Sequence, residues 1–72
     1  MYDVKKIAKE NEFVQNAKQI KEIAKDEFDV GVALDMYCVK EGIKYAPYSE
    51  KQKEFLDLCR AITLDKIVEE LK

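Results

Sequence analysis

With 72 residues, 47% of them hydrophobic and 39% charged, and only two glycines and one proline, the chain reads as one folded domain with a small core. That composition excludes global disorder. The net charge of −2 is evenly spread, with six Lys against eight acids in residues 1–36 and seven Lys or Arg against seven acids in residues 37–72, so no basic half is set aside for nucleic acid.

The absence of histidine rules out imidazole catalysis and zinc bound through His. No apolar run approaches the ~20 residues of a membrane span, and no secretory signal pattern is present, so the expected location is the cytoplasm and the expected state of Cys38 and Cys59 is the free thiol.

Asp3 can cap a short first helix in which Val4, Ile7 and Ala8 share a face. A phase shift follows. Phe13, Ala17, Ile20, Ala24 and Phe28 form a stripe that a continuous helix would carry nearly opposite to the first one, so Asn11 marks a helix end and a new start. From about Glu12 to Phe28 the pattern predicts one amphipathic helix with a solvated face of Gln15, Lys18, Glu22, Lys25 and Asp26.

The segment from Asp29 to Gly42 is apolar on almost every side. Read as a helix over about residues 30–41, it carries Val30, Ala33, Leu34, Tyr37 and Cys38 on one arc. Val32, Met36, Val39 and Ile43 lie on a second arc, and Gly31, Asp35 and Gly42 form the only polar seam. Asp29 is a good N-cap and Gly42 a good left-handed stop. A helix apolar most of the way round is normally buried on several sides, so this one is expected at the centre of the fold.

After Gly42 the only stretch with loop chemistry runs through Lys44, Tyr45, Ala46, Pro47 and Tyr48. Pro47 biases Ala46 away from helix, and Ser49 with Gln52 has the form of a capping box, so the next helix should begin at Glu50 with Phe55, Leu58, Cys59 and Ile62 inward. A second phase shift then appears, because Leu64, Ile67, Val68 and Leu71 point roughly opposite to that stripe. Either the helix breaks at Thr63 and folds back, or one long helix over residues 50–71 offers the final stripe to a second molecule as a homodimer contact. The break is favoured, since so short a chain needs those side chains for its own core. The whole is expected to be an all-α single domain, residues 1–72, of four to five short helices around the central one.

Candidate chemistry is sparse. Neither cysteine has a histidine to activate it; only a cation such as Arg60 beside Cys59 could do so, and both lie on apolar stripes, where small buried side chains are the simpler reading. Their 21-residue separation matches no metal-ligand spacing. Glu69 and Glu70 diverge on a helix, and no glycine-rich phosphate loop exists, so no metal and no cofactor is expected. Asp35 stands out in its polar seam, with a hydrogen-bonding role outweighing catalysis.

Two readings of function remain. Tyr45, Pro47, Tyr48 and Lys44 form the best candidate surface for a protein contact, since tyrosine supplies contact area at low entropy cost, although the rings could equally close over the core. Tyr2 could extend either arrangement. On this reading the chain is a non-enzymatic small regulatory or inhibitory protein that binds another protein, of a size that suits phage or mobile-element origin.

The alternative is a helix-turn-helix regulator. Gln19, Glu22, Ile23 and Ala24 are similar to the first helix of that motif, but Phe28 stands where the turn favours Gly and Asp29 where an apolar residue should follow. A weaker version makes residues 13–25 the reading helix, with Gln15, Lys18, Gln19 and Lys25 toward DNA. Glu22 and Asp26 on that face would repel phosphate.

Overall fold

Residues 2–25 and 29–72 are described in the computed structural model. Among them lie six helices and no strand: α1 (Val4–Glu10), α2 (Glu12–Gln15), α3 (Ala17–Ala24), α4 (Val30–Glu41), α5 (Glu50–Ile62) and α6 (Leu64–Glu70). The all-α class is as expected. The helix count exceeds four to five because the segment expected to run unbroken from Glu12 is interrupted at Asn16.

The interruption has a local cause. Asn16 Nδ2 donates to the Glu12 carbonyl at 2.9 Å, the carbonyl that also accepts the Asn16 backbone N–H at 2.9 Å. A short polar side chain that bonds its own backbone competes with the helical ladder, and here Asn16, at φ −99° and ψ 22°, separates α2 from α3. The expected extension of this helix to Phe28 falls outside the described residues.

Other junctions follow their caps. Asp3 accepts from the Lys6 N–H and Asp29 from the Gly31 N–H. Gly42 takes a left-handed φ of 70°, and the Ile43 N–H closes on the Cys38 carbonyl at 2.8 Å, the bond pattern of a Schellman ending that a side chain at 42 would strain. Ser49 and Gln52 form the expected reciprocal capping box.

At Thr63 the chain breaks as favoured. Its φ of 81° and ψ of 151° redirect the backbone, and its hydroxyl accepts from the Lys66 N–H to start α6. Leu64, Ile67 and Val68 are then buried in the protein's own core and Leu71 is half-buried against it. A homodimer through that stripe would have to dismantle the core, so these side chains serve the fold.

The core draws on every helix: Val4 and Ala8, Phe13 and Val14, Ala17 and Ile20, Ala33, Leu34, Tyr37 and Cys38, Phe55, Leu58 and Cys59, and the α6 residues above. Phe13 and Tyr37 meet edge to face with centroids 6.3 Å apart. Each large aliphatic side chain so buried contributes about 1.5–3 kcal/mol of transfer free energy.

Among the described residues, two polar side chains share this interior, and both are fully bonded. Asn11 Oδ1 accepts from the Phe13 and Val14 N–H groups while its Nδ2 donates to the Lys51 carbonyl (2.9 Å) and Glu54 Oε1 (2.7 Å). Lys51 Nζ in turn donates to the Glu10 carbonyl, so the α1–α2 junction is tied to α5 from both sides. Gln52 Nε2 donates to the Lys44 carbonyl (2.9 Å) and toward Cys38 Sγ (3.4 Å).

The expected central place of α4 requires correction in one respect. Its main neighbours are α3 and α5, whereas α3 also packs on α2 and α6. Helix α4 therefore lies on a flank of the bundle. Ala33, Leu34, Tyr37 and Cys38 are buried, and Ile43 of the second apolar arc packs against the core, but Val32, Met36 and Val39 of that arc are exposed.

Candidate functional site

Helix α4 is held firmly on its inner side and left bare on its outer side. Val32 is 40% exposed, Met36 51% and Val39 64%, and Tyr45, from the loop that follows, is 41% exposed. These four, with Asp35 and Lys40 at the edges, line one shallow depression. Of the five large hydrophobic side chains exposed among the described residues, four thus gather in one place, and only Tyr2 lies elsewhere. This clustering differs from the scattered apolar exposure that every protein carries.

The rest of the surface sharpens the contrast. The outward positions of α5 are Glu50, Lys51, Lys53, Glu54, Asp57, Arg60 and Ala61, and those of α6 include Asp65, Lys66, Glu69 and Glu70. Its ion pairs, such as Lys21 with Asp65 at 3.3 Å and Lys66 with Glu70 at 3.4 Å, are exposed and contribute only tenths of a kcal/mol each.

The loop divides the two tyrosines between the roles open to them. Tyr48 is half-buried, and its hydroxyl donates to Asp35 Oδ1 at 2.6 Å, closing the polar seam of α4. That hydrogen bond, with burial second, pushes the Tyr48 hydroxyl up to about 12. Tyr45 turns outward onto the rim of the apolar face. Pro47 and Lys44 are exposed, and the Lys44 carbonyl is pinned from below by Gln52, so the loop is a positioned element.

Of the expected contact set, Tyr45, Pro47 and Lys44 are exposed, and Tyr48 is drawn inward to Asp35. Tyr45 belongs to the open face, Tyr48 stabilises the structure, and Val32, Met36 and Val39 are the residues the periodicity reading placed in the core. A signal for them existed: two apolar arcs on one helix demand neighbours on both sides, more than so short a chain readily supplies.

Both cysteines lie in the core. Cys38 is fully buried and its thiol is pushed up by burial, against the smaller opposing effect of the Gln52 contact. Burial also pushes the Cys59 thiol up to about 12. Arg60 turns to solvent and faces Asp57 at 3.8 Å, so it does not activate the thiol beside it. Among the described residues no group of three or more Cys, Asp or Glu side chains is placed to hold a metal, and no helix is long and apolar enough to cross a membrane.

Gln15, Lys18, Gln19 and Lys25 are all exposed, but they do not share one reading helix. Gln15 ends α2, Lys18 and Gln19 lie in α3, Lys25 caps the end of α3, and Glu12 and Glu22 are exposed on the same two helices. In a helix-turn-helix arrangement α4 would be the recognition helix, and its outward Val32, Met36 and Val39 offer base edges no hydrogen-bonding group.

No family model, no curated protein and no solved structure matches this chain.

Proposed function

We propose that this protein is a non-enzymatic, cytoplasmic regulatory or inhibitory protein that acts by docking the outer face of α4, together with Tyr45, on another protein. The observation that carries the reading is the concentration of Val32, Met36, Val39 and Tyr45 in one exposed patch on an otherwise charge-rich surface. Helix α4 suits the task because its inner arc, its Asp29 cap and its Gly42 ending fix it in place before any partner arrives. Met36 at the middle of the face supplies an adaptable side chain, and Tyr45 at its edge supplies a rigid aromatic anchor of the type enriched in binding hot spots.

The reading is tested by capturing partners from an extract of the native cell with the wild-type chain, Met36→Lys and Tyr45→Ala. Met36→Lys sets a charge at the centre of the face and should lower retention of any specific partner more than tenfold; Tyr45→Ala should lower it several-fold. Retention of the same partner at unchanged affinity by both variants would contradict the assignment.

A further inference from the structure

We propose that the open face of α4 also accepts a second copy of this chain, the two α4 helices lying parallel with Val32, Met36 and Val39 of each in register. The inference rests on reading this face as a docking surface and names one occupant for it.

The spacing of the stripe is the first argument. Val32, Met36 and Val39 are separated by four and then three residues, the alternation of inner positions that keeps one helix facing another in a two-stranded coiled coil. All three project from the same side and all three are exposed. Nearly two turns of α4 thus carry the seam of a helix pair with one helix missing.

Charge selects the orientation and the partner. At 100° per residue Asp35 lies about 70° to one side of the stripe and Lys40 about 70° to the other. In a parallel pair related by a two-fold axis along the helices, opposite flanks meet, so Asp35 of each copy faces Lys40 of the other on both sides of the seam. The two residues are five apart, or about 7.5 Å along the axis, which a lysine side chain spans. They occupy the flanking positions whose interhelical pairs set partner choice in coiled coils. An antiparallel pair would instead bring the two Asp35 flanks together. The Tyr48 hydroxyl bond holds Asp35 at the edge of the face, so its charge is in position before association.

Area sets the strength. The four apolar side chains together expose on the order of 300–400 Å², well below the ~800 Å² per partner of a standard stable interface. The pair is accordingly weak and reversible, and a protein partner with a larger contact displaces it.

Sedimentation from about 10 µM to about 1 mM, the range in which an interface this small is populated, gives the test. The wild-type chain should rise from monomer toward dimer mass and associate less as salt is added, Met36→Lys should remain monomeric, and Lys40→Glu should weaken association at least fivefold, with the residual association strengthened by salt. Because the native thiols are buried, a short bis-maleimide should cross-link Val39→Cys selectively, and Glu41→Cys, away from the stripe, should not link.

Monomer mass at every concentration would overturn the proposal, as would a dimer in which Val39→Cys links no better than Glu41→Cys. A chain that stays monomeric while Met36→Lys loses its captured partner overturns self-pairing and leaves the docking reading standing. A dimer abolished by Met36→Lys, with partner capture unaffected, supports self-pairing and removes the docking reading.

Discussion

Asn11 joins four separate hydrogen bonds in the interior. Its side chain accepts from two backbone N–H groups at the start of α2 and donates across to α5, where the Lys51 carbonyl and the Glu54 carboxylate receive it. Replacement by Ala removes a helix cap and leaves buried backbone groups unbonded, which should cost about 2 kcal/mol in urea unfolding. Asn11→Asp keeps the capping oxygen but loses the donor and sets a carboxylate beside Glu54. It should be destabilised as well, and increasingly so as pH rises through the carboxylate range.

Two further residues contribute to behaviour at alkaline pH, alongside the raised Tyr37 hydroxyl and Cys38 thiol. Cys59 and Tyr48 have their neutral forms favoured in the folded state, to about 12 from 9.0 and 10.0 respectively. A raised acid pKa in the folded chain means that the unfolded chain releases its proton first. The contribution of each group is therefore complete below pH 9, shrinks as pH climbs through its unfolded value, and is gone above about 12. Stability measured by denaturant from pH 8 to 11 should fall, and Tyr48→Phe should flatten the part of that fall above pH 10. Thiol titration with a disulfide reagent at pH 8 should detect both cysteines only at the rate of unfolding.

At the scale of the element, Thr63 is the junction with a testable strain. A β-branched residue at φ 81° and ψ 151° occupies a region almost confined to glycine, at a cost of order 1–3 kcal/mol, while its hydroxyl caps α6. Thr63→Gly relieves the strain and keeps most of the capping, so it should raise the unfolding free energy by about 1 kcal/mol. Thr63→Ala keeps the strain and loses the cap, so it should lower it by about as much. An order of Gly, then Thr, then Ala in urea midpoint is the expected outcome.

The helix junctions were legible in the sequence where their chemistry is local. Asp29, Gly42, Ser49 with Gln52, and Thr63 each act within three or four residues, so their types and spacing announce them. The break at Asn16 was not legible, because the apolar stripe Phe13, Ala17, Ile20 runs straight across it, and the side-chain bond to the Glu12 carbonyl leaves no mark in hydropathy. The pairing of Tyr48 with Asp35 joins a loop to a helix thirteen residues away, and hydropathy carries no trace of it. The candidate site was half legible: Tyr45 could be named from its loop, but Val32, Met36 and Val39 could not be distinguished from core residues until the neighbours of α4 were known.

At the scale of the molecule, a radius of gyration of 11.0 Å is close to the ~11 Å expected of a compact chain of this length, so the exposed face is not the product of loose packing. Interior and outer face should then respond differently to substitution. Ile67→Ala, at a fully buried position where α6 meets the core, should cost 2–5 kcal/mol. The central claim is that the outer arc of α4 contributes to docking and not to folding.

It is tested most directly by the urea unfolding free energy of the double variant Met36→Lys, Val39→Lys at low micromolar concentration, where self-association is absent. A value within about 0.5 kcal/mol of wild type, as for an ordinary exposed surface, is the predicted result. A loss of 2 kcal/mol or more would place these side chains in the core and contradict the account.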